Sequence, residues 1–483
     1  MKNLFFTVVA LFSIASAFAV DFKAGYARVD ITAPLGCDMP GYYVTRNAKS
    51  VLDPLEMVCV AFSDGKNKAL IFQVDTEAIA NDVATQMRTE IEKATGVNRD
   101  AILIHASHTH VGGPLVRHFN PGGRSKELAE RTNAITELYI QLCITRAVDV
   151  ATMAIADLKS AKLGCARSEA NRISFIRRFW MKDGKVRTNP GVNNPNIVKR
   201  VGDPDEQVQV LRVDREGAEP ICFINFQTHP DVIGGEGLSA DWPGFTRRIF
   251  EAATFGKSKC IVINGTQGDV NHVCVDPKPG EQNGLHADFD GADRGYEHAM
   301  HMANVLAAAA LKVWVKCAPI EAGEIKFAVK NVKVPAQKAK DSDEKNLEWA
   351  KKVWDMHVAG KDSELPWKEM ELTTEVARAG RICRVAKGPD FFDIPLCSFA
   401  IGKSVAFGGF PGEPFNEIGK EIKKASPFKM TILSCLTNGT RGYFPFSDSY
   451  EQGGYEPATS PFGPTVANLL IKGELELLGE LYK

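Results

Sequence analysis

The chain carries no surplus of charge. Lysine and arginine number 58 against 59 aspartate and glutamate, a net charge of −1 over 483 residues. That leaves no electrostatic footprint for nucleic acid as a partner. There is no low-complexity tract, no internal repeat and no Pro/Gly-rich linker. With 44% hydrophobic and 24% charged residues the composition is that of an ordinary globular protein. A disordered chain, a collagen-like fibre and a long coiled coil are excluded. Beyond the N-terminal leader no run of about 18 uncharged apolar residues occurs, so no transmembrane anchor is expected after the leader is cleaved.

Several catalytic signatures are missing as well. There is no G-x-S-x-G elbow, so a lipase-type serine hydrolase has no support. There is no H-E-x-x-H and no P-loop, which sets aside helical zinc proteases and nucleotide hydrolases. No C-x-x-C occurs, which removes a cysteine zinc ribbon. No G-x-G-x-x-G follows the first strand, which argues against a dinucleotide fold.

What is present begins with an address. Lys2 gives a positive start, 4–14 is apolar, and Ala17-Phe18-Ala19 fits a small-x-small cleavage site. Residues 1–19 read as a signal peptide, with a mature chain of 20–483 that is secreted or periplasmic. The 11 cysteines are odd in number, and several sit inside apolar runs. Most are expected to be free buried thiols, with one or two bridges.

Apolar runs at 57–63 and 69–74 predict a hairpin, and 81–95 a helix stopped by Gly96. Further strands are expected at 101–105, 207–213, 221–226, 259–264, 395–400, 404–409 and 430–436. Helices are expected at 125–158, 241–254, 296–313, 415–424 and 465–481, and 340–370 reads as a polar helical excursion. This interleaving predicts an α/β fold with mixed β-sheets and flanking helices in one large domain.

Three histidine or carboxylate signals follow strand-like runs. His105-Ala-Ser-His108-Thr-His110-Val-Gly-Gly ends the run 101–104. In extended backbone His108 and His110 point to the same side, and Gly112 and Gly113 admit close backbone approach to a ligand. Two such imidazoles suit one metal ion, or one metal and one substrate; backbone partners could equally satisfy both. His229, in Thr228-His-Pro, ends the next strand and by itself reads as an ordinary structural histidine. Glu413, in Phe410-Pro-Gly-Glu-Pro, reads by position as a first-turn acid favoured by a helix dipole. Asp269, in Gly268-Asp-Val-Asn271, suits either a hydrogen bond to a ligand imidazole or an Asx-turn. Tyr443 reads as a core tyrosine with a bonded hydroxyl.

Taken in order, these motifs resemble the neutral/alkaline ceramidase family. The markers are 25–34, S-H-T-H-V-G-G at 107–113, N-R-I-S at 171–174, T-H-P at 228–230, N-G-T-Q-G-D-V-N at 264–271, F-P-G-E at 410–413 and N-G-T-R-G-Y at 438–443. The stretch Y-E-P-A-T-S-P-F-G-P at 455–464 is similar too, so the resemblance spans nearly the whole mature chain. It implies a Zn2+-dependent amidohydrolase that cleaves an N-acyl bond of a small or lipid-like substrate with a zinc-activated water. It implies His108, His229, Glu413 and Tyr443 as metal ligands and His110 and Arg172 as contacts to the substrate's polar centre. Asn271 stands where the family has a serine. It cannot be a nucleophile, but it can orient the scissile carbonyl or the water. The family's C-terminal β-sandwich domain is expected to be absent, because the chain stops at Lys483. Both departures keep two alternatives open: a zinc hydrolase of an acylated sugar, glycan or peptide-like amide or ester, and a non-catalytic binding protein on the same fold.

Overall fold

Strand, helix and parallel strand recur three times along the chain. The first unit runs from strand Lys68–Val74 through helix Asn81–Thr95 to strand Ile102–Ala106. The second is Ala218–Phe226, Asp241–Ala253 and Lys259–Asn264. The third is Val405–Gly409, Asn416–Ala425 and Met430–Ser434. Each parallel strand is an apolar run buried on both faces, as parallel sheets require. Helix Asn81–Thr95 buries Val83, Ala84, Met87 and Ile91, one stripe at helical spacing. It ends where sequence places the stop: Gly96 adopts φ 70° and returns its N–H to Glu92 O at 2.9 Å. The computed structural model describes residues 21–117, 125–281, 286–288, 290–338 and 343–483. The leader expected over 1–19 lies outside these residues.

The first two units form the two ends of one nine-stranded sheet. Between them lie Glu56–Ser63, Lys23–Asp30, Lys159–Glu169 and Gln207–Arg215, all antiparallel to their neighbours, with Ala318–Ile320 paired to Lys159–Glu169 off the main path. Strand Lys159–Glu169 has no counterpart in the sequence reading, because its Lys, Arg and Glu residues mask the alternation. It is held by its ladder to Gln207–Arg215. The third unit belongs to a second sheet, Ile325–Pro335, Phe391–Ile401, Val405–Gly409, Met430–Ser434, covered by helix Val466–Tyr482. Helix Lys126–Ala156 is long and apolar enough by composition to cross a membrane. Here it packs on the large sheet, and Tyr139 donates its hydroxyl to Ile31 O at 2.7 Å.

One imidazole joins all three units. His105 is wholly buried; its Nδ1–H donates to Cys435 O at 2.8 Å, and its Nε2 accepts from Asn264 N–H at 3.0 Å. Burial holds it near 4, so it stays neutral and can both donate and accept. Cys435 N–H in turn donates to Asn264 O at 3.1 Å. The strand ends of the three units are thereby drawn together.

The polar excursion is a helical pair, Glu344–Val358 and Glu369–Lys387, longer than the 340–370 expected. It has its own small apolar core around Ala350, Val353, Val376, Ala379 and Ile382. All eleven cysteines are free, so the one or two bridges expected from sequence do not form. Seven of the eleven are buried packing groups, Cys222 and Cys260 as in-register neighbours on parallel strands.

Candidate metal centre

Each unit sends the loops that follow its parallel strands to one place. Glu77, His108 and His110 follow the first pair, His229, Gln267 and Val270 the second, and Glu413 and Tyr443 the third. The carboxyl ends of parallel strands are where α/β sheets build their sites; here three such ends are pooled.

His108 is not on extended backbone as its spacing from His110 suggested. Strand Ile102–Ala106 has ended, and His108 has φ 75°, a left-handed conformation that costs a non-glycine residue about 1–3 kcal/mol. The two imidazoles still meet, with Nε2 atoms 3.3 Å apart. What sets the geometry is the loop's anchoring: His108 N–H donates to Thr76 O at 2.9 Å and His110 N–H to Pro230 O at 3.1 Å. Gly112 and Gly113 serve the fold rather than a ligand. A Cβ would lie 2.8 Å from Thr76 Cα at the first and 2.6 Å from the Tyr139 ring at the second.

The ring tautomers follow from backbone carbonyls, which only accept. His108 Nδ1–H donates to Glu77 O at 2.8 Å; His229 Nδ1–H donates to Gln267 O at 2.8 Å and Val270 O at 3.1 Å. Both Nε2 atoms are left facing inward. Glu413 Oε2 lies 3.3 Å from His108 Nε2 and 3.0 Å from His229 Nε2. Gln267 Nε2 donates to the same oxygen at 3.2 Å. Tyr443 places its hydroxyl 3.4 Å from His229 Nε2. Glu413 is not a first-turn acid. It sits in a two-residue parallel ladder directly opposite Tyr443, and the helix begins only at Asn416. The helix N-terminus is served by Asp269 instead, whose Oδ1 accepts from Asn416 N–H at 2.7 Å. Asp269 thus has neither of the two roles expected for it.

This cluster demands a cation. With neutral imidazoles, two lone pairs and a carboxylate would crowd one point. Without a metal ion a proton does the work. Burial is the largest influence on His108 and opposes its charge, but Glu413 and Glu77 together outweigh it and lift the group to about 9. Glu413 itself is buried, yet the two histidines hold it well below the usual carboxylate range. His229 is lowered, first by burial and then by the Arg177 guanidinium. Burial drives the Tyr443 phenol up, reinforced by Glu413 and opposed by Arg177.

His110 stands beside this set. Burial and then His108 keep it well below its ordinary value, hence neutral. Its ring meets Tyr42 edge-on at 5.2 Å, and its carbonyl accepts from Arg46 at 2.6 Å. The nitrogens offered by His108, His110 and His229 all lie within 4.8 Å of one another, so a three-histidine ligand set is also on hand. Arg172 has φ 58° and gives its guanidinium to Glu281, Nη2 to Oε2 at 2.6 Å and Nε to Oε1, and to Cys274 Sγ rather than to the histidines. Asn271 is fully buried; its Nδ2 donates to Asn189 Oδ1 at 3.2 Å and its Oδ1 accepts from Val273 N–H at 3.1 Å. Its backbone neighbour Val270 is the one that supports His229.

Glu77, Gln267, Tyr42 and Arg46 were not singled out from sequence. Gln267 lay inside the quoted N-G-T-Q-G-D motif, and Glu77 three residues past a strand end, where the strand-end rule finds it. Tyr42 and Arg46 carry no local signal, because their loop reaches the site only through tertiary packing.

No family model and no curated protein matches the chain. Among solved structures, a neutral ceramidase from Pseudomonas aeruginosa superposes with a TM-score of 0.68 at 15% identity, covering 96% of this chain and 75% of that one. A ceramidase complexed with C2 gives 0.70 at 15% identity over the same shares. The fold is therefore that of the neutral ceramidases, in agreement with the α/β mixed-sheet expectation.

Proposed function

We propose that the chain is an exported zinc-dependent hydrolase of an N-acyl amide in a small or lipid-like substrate. The observation that supports it is the convergence of His108, His229, Glu413 and Tyr443 with both imidazole tautomers locked by backbone carbonyls. Zinc takes nitrogen and oxygen ligands at about 2.0–2.2 Å, so two donors shared by one ion stand no more than about 4.4 Å apart. The donor separations of 3.3, 3.0 and 3.4 Å meet that bound. The donor set fits zinc. When bound, such an ion polarises a carbonyl and lowers the pKa of water toward about 7.

The remaining roles belong to this chain's own residues. His108 and His229 offer Nε2, Glu413 Oε2 and Tyr443 its phenolic oxygen. His110, neutral and beside His108, donates its ring N–H to the oxygen of the reacting carbonyl. Arg172 stabilises negative charge developing on the substrate oxygen, after exchanging Glu281 for substrate. Asn271 keeps one N–H of its amide for orienting the carbonyl, the other being held by Asn189.

A second substrate reading has its own support. Next to His229, Asp231 lies 3.3 Å from His272 Nδ1, and Arg294 Nη1 lies 3.1 Å from His272 Nε2. From this polar cluster, half-buried at Asp231 and Arg294, we infer a preference for a hydroxyl-rich acylated substrate.

The test is elemental analysis of the mature chain beside His229→Ala, followed by hydrolysis of a panel of fluorogenic N-acyl lipids and N-acyl sugars. About one zinc per wild-type chain, lost in the variant, with turnover of one class, is the expected result. No zinc in the wild type after incubation with the metal sinks the proposal and moves a non-catalytic binding role to the front.

A further inference from the structure

Arg177 has no part in the chemistry above, yet it is one of the most enclosed charges beside it. It is 4% exposed and lies between strands Phe175–Ile176 and Arg178–Met181. Nε donates to Glu456 Oε1 at 2.7 Å, and Nη2 donates to Gly268 O at 2.7 Å. The guanidinium carbon stands 5.4 Å from the Tyr443 ring centre and 6.0 Å from that of Tyr455. Its backbone N–H donates to Asp269 O at 3.0 Å. Glu456, fully buried, also accepts from Thr188 Oγ1 at 2.8 Å.

Burying an arginine–glutamate pair seldom yields net stability, because the desolvation cost offsets the attraction. What this pair supplies is position. Gly268 adjoins Gln267, whose carbonyl orients His229 and whose side chain supports Glu413. Tyr443 comes from the third unit and faces His229 from the other loop. One guanidinium holds the first loop by a hydrogen bond and covers the ring of the second. Glu456 fixes that guanidinium from a third segment, the short helix Tyr455–Thr459.

We propose that Arg177 is a positioning residue of the metal centre, clamping the loop that orients His229 against Tyr443 so that the tyrosine becomes a ligand. The proposal rests on the metal reading above. Arg177 acts through Tyr443 and touches neither ion nor substrate.

The test is a double-mutant cycle on zinc affinity, read by chelator competition with the whole chain. Arg177→Met is expected to weaken zinc binding about 10–100-fold, the usual range for a group that supports a ligand. Tyr443→Phe weakens it as well. In the Tyr443→Phe background the added Arg177→Met should cost clearly less than it does in wild type, because the clamp then keeps only its hold on the Gln267 loop. Arg177→Lys, which keeps the charge without the two-armed geometry, should fall between wild type and Arg177→Met. Losses that add across the cycle, or wild-type affinity in Arg177→Met, overturn the proposal. If melting shows Arg177→Met to be unfolded, Glu456→Gln loosens the same guanidinium and enters the same cycle. Tight zinc binding with no loss in Tyr443→Phe overturns the clamp while leaving the metal centre standing. A wild-type chain that binds no zinc brings down the metal reading, and the clamp with it.

Discussion

Loading the metal-free protein with zinc is expected to expel a proton from His108. Its Nδ1 is committed to the Glu77 carbonyl, so the added proton of the imidazolium sits on Nε2, facing Glu413 Oε2 at 3.3 Å. Burial disfavours that charge, and Glu413 and Glu77 together more than compensate, lifting the group to about 9. At about pH 7.5 roughly 97% of metal-free chains then hold the proton. An ion needs the same lone pair, so about one proton leaves His108 for each ion bound. Apparent affinity therefore rises about tenfold per pH unit, about 1.4 kcal/mol, from about pH 6.5 to 8.5 and levels off above about 9. Titration calorimetry in buffers of different ionisation enthalpy counts the protons, and chelator competition at several pH values gives the slope. Glu413→Gln is the control: it removes the carboxylate that retains the proton, so the slope should flatten as the affinity falls. A wild-type slope near zero with no proton released refutes the reasoning, since it means His108 Nε2 is already bare in the metal-free cluster.

Three further outcomes are expected. Glu474 is pushed by burial from 4.5 to about 7, only partly opposed by the Ser398 hydroxyl donating to Oε1 at 2.8 Å. A raised carboxyl contributes its stability below the unfolded value and loses it as pH rises through the folded one. The chain should therefore lose about 3 kcal/mol between about pH 4.5 and 7, and Glu474→Gln should melt higher than wild type at about pH 8; equal melting there contradicts this. Arg247 is fully buried, with Nη2 donating to Asp75 Oδ2 at 2.9 Å and Glu56 Oε2 at 2.7 Å. Arg247→Ala strands Asp75 and should cost about 3–5 kcal/mol in urea melts, where a loss under about 1 kcal/mol argues against the network. Gly41 has φ 113°, and a Cβ there would lie 2.8 Å from His110 Nδ1. Gly41→Ala should keep its zinc but lose on the order of tenfold to a hundredfold in turnover, because a displaced His110 misaligns the substrate; full turnover removes His110 from the reaction.

Local pattern carried much of the architecture. Helix Asn81–Thr95 was legible because burial on one face imposes a period that survives in sequence, and strand Lys259–Asn264 and the two hairpins because burial on both faces leaves nearly continuous apolar runs. Lys159–Glu169 and Ile325–Pro335 were not, since partly exposed strands dilute their apolar face with lysines and other polar residues. At the site, the ends of strands pointed to His108 and His229. The part that failed was the stated geometry: His108 joins His110 through a left-handed turn, and Glu413 pairs with Tyr443 rather than opening a helix.

By itself the sequence determined the kinds of element, their order and the loops in which chemistry is concentrated, because these depend on neighbours a few residues apart. Tertiary structure alone decided that three strand ends share one centre. That meeting depends on His105 bonding Cys435 and Asn264, on Glu77 and Gln267 lending carbonyls to the two rings, and on Arg177 bridging Gly268 and Glu456. These contacts join residues tens to hundreds of positions apart. Their energy comes from burial and from polar groups that must find partners once water is gone, and neither leaves a periodic trace in the chain.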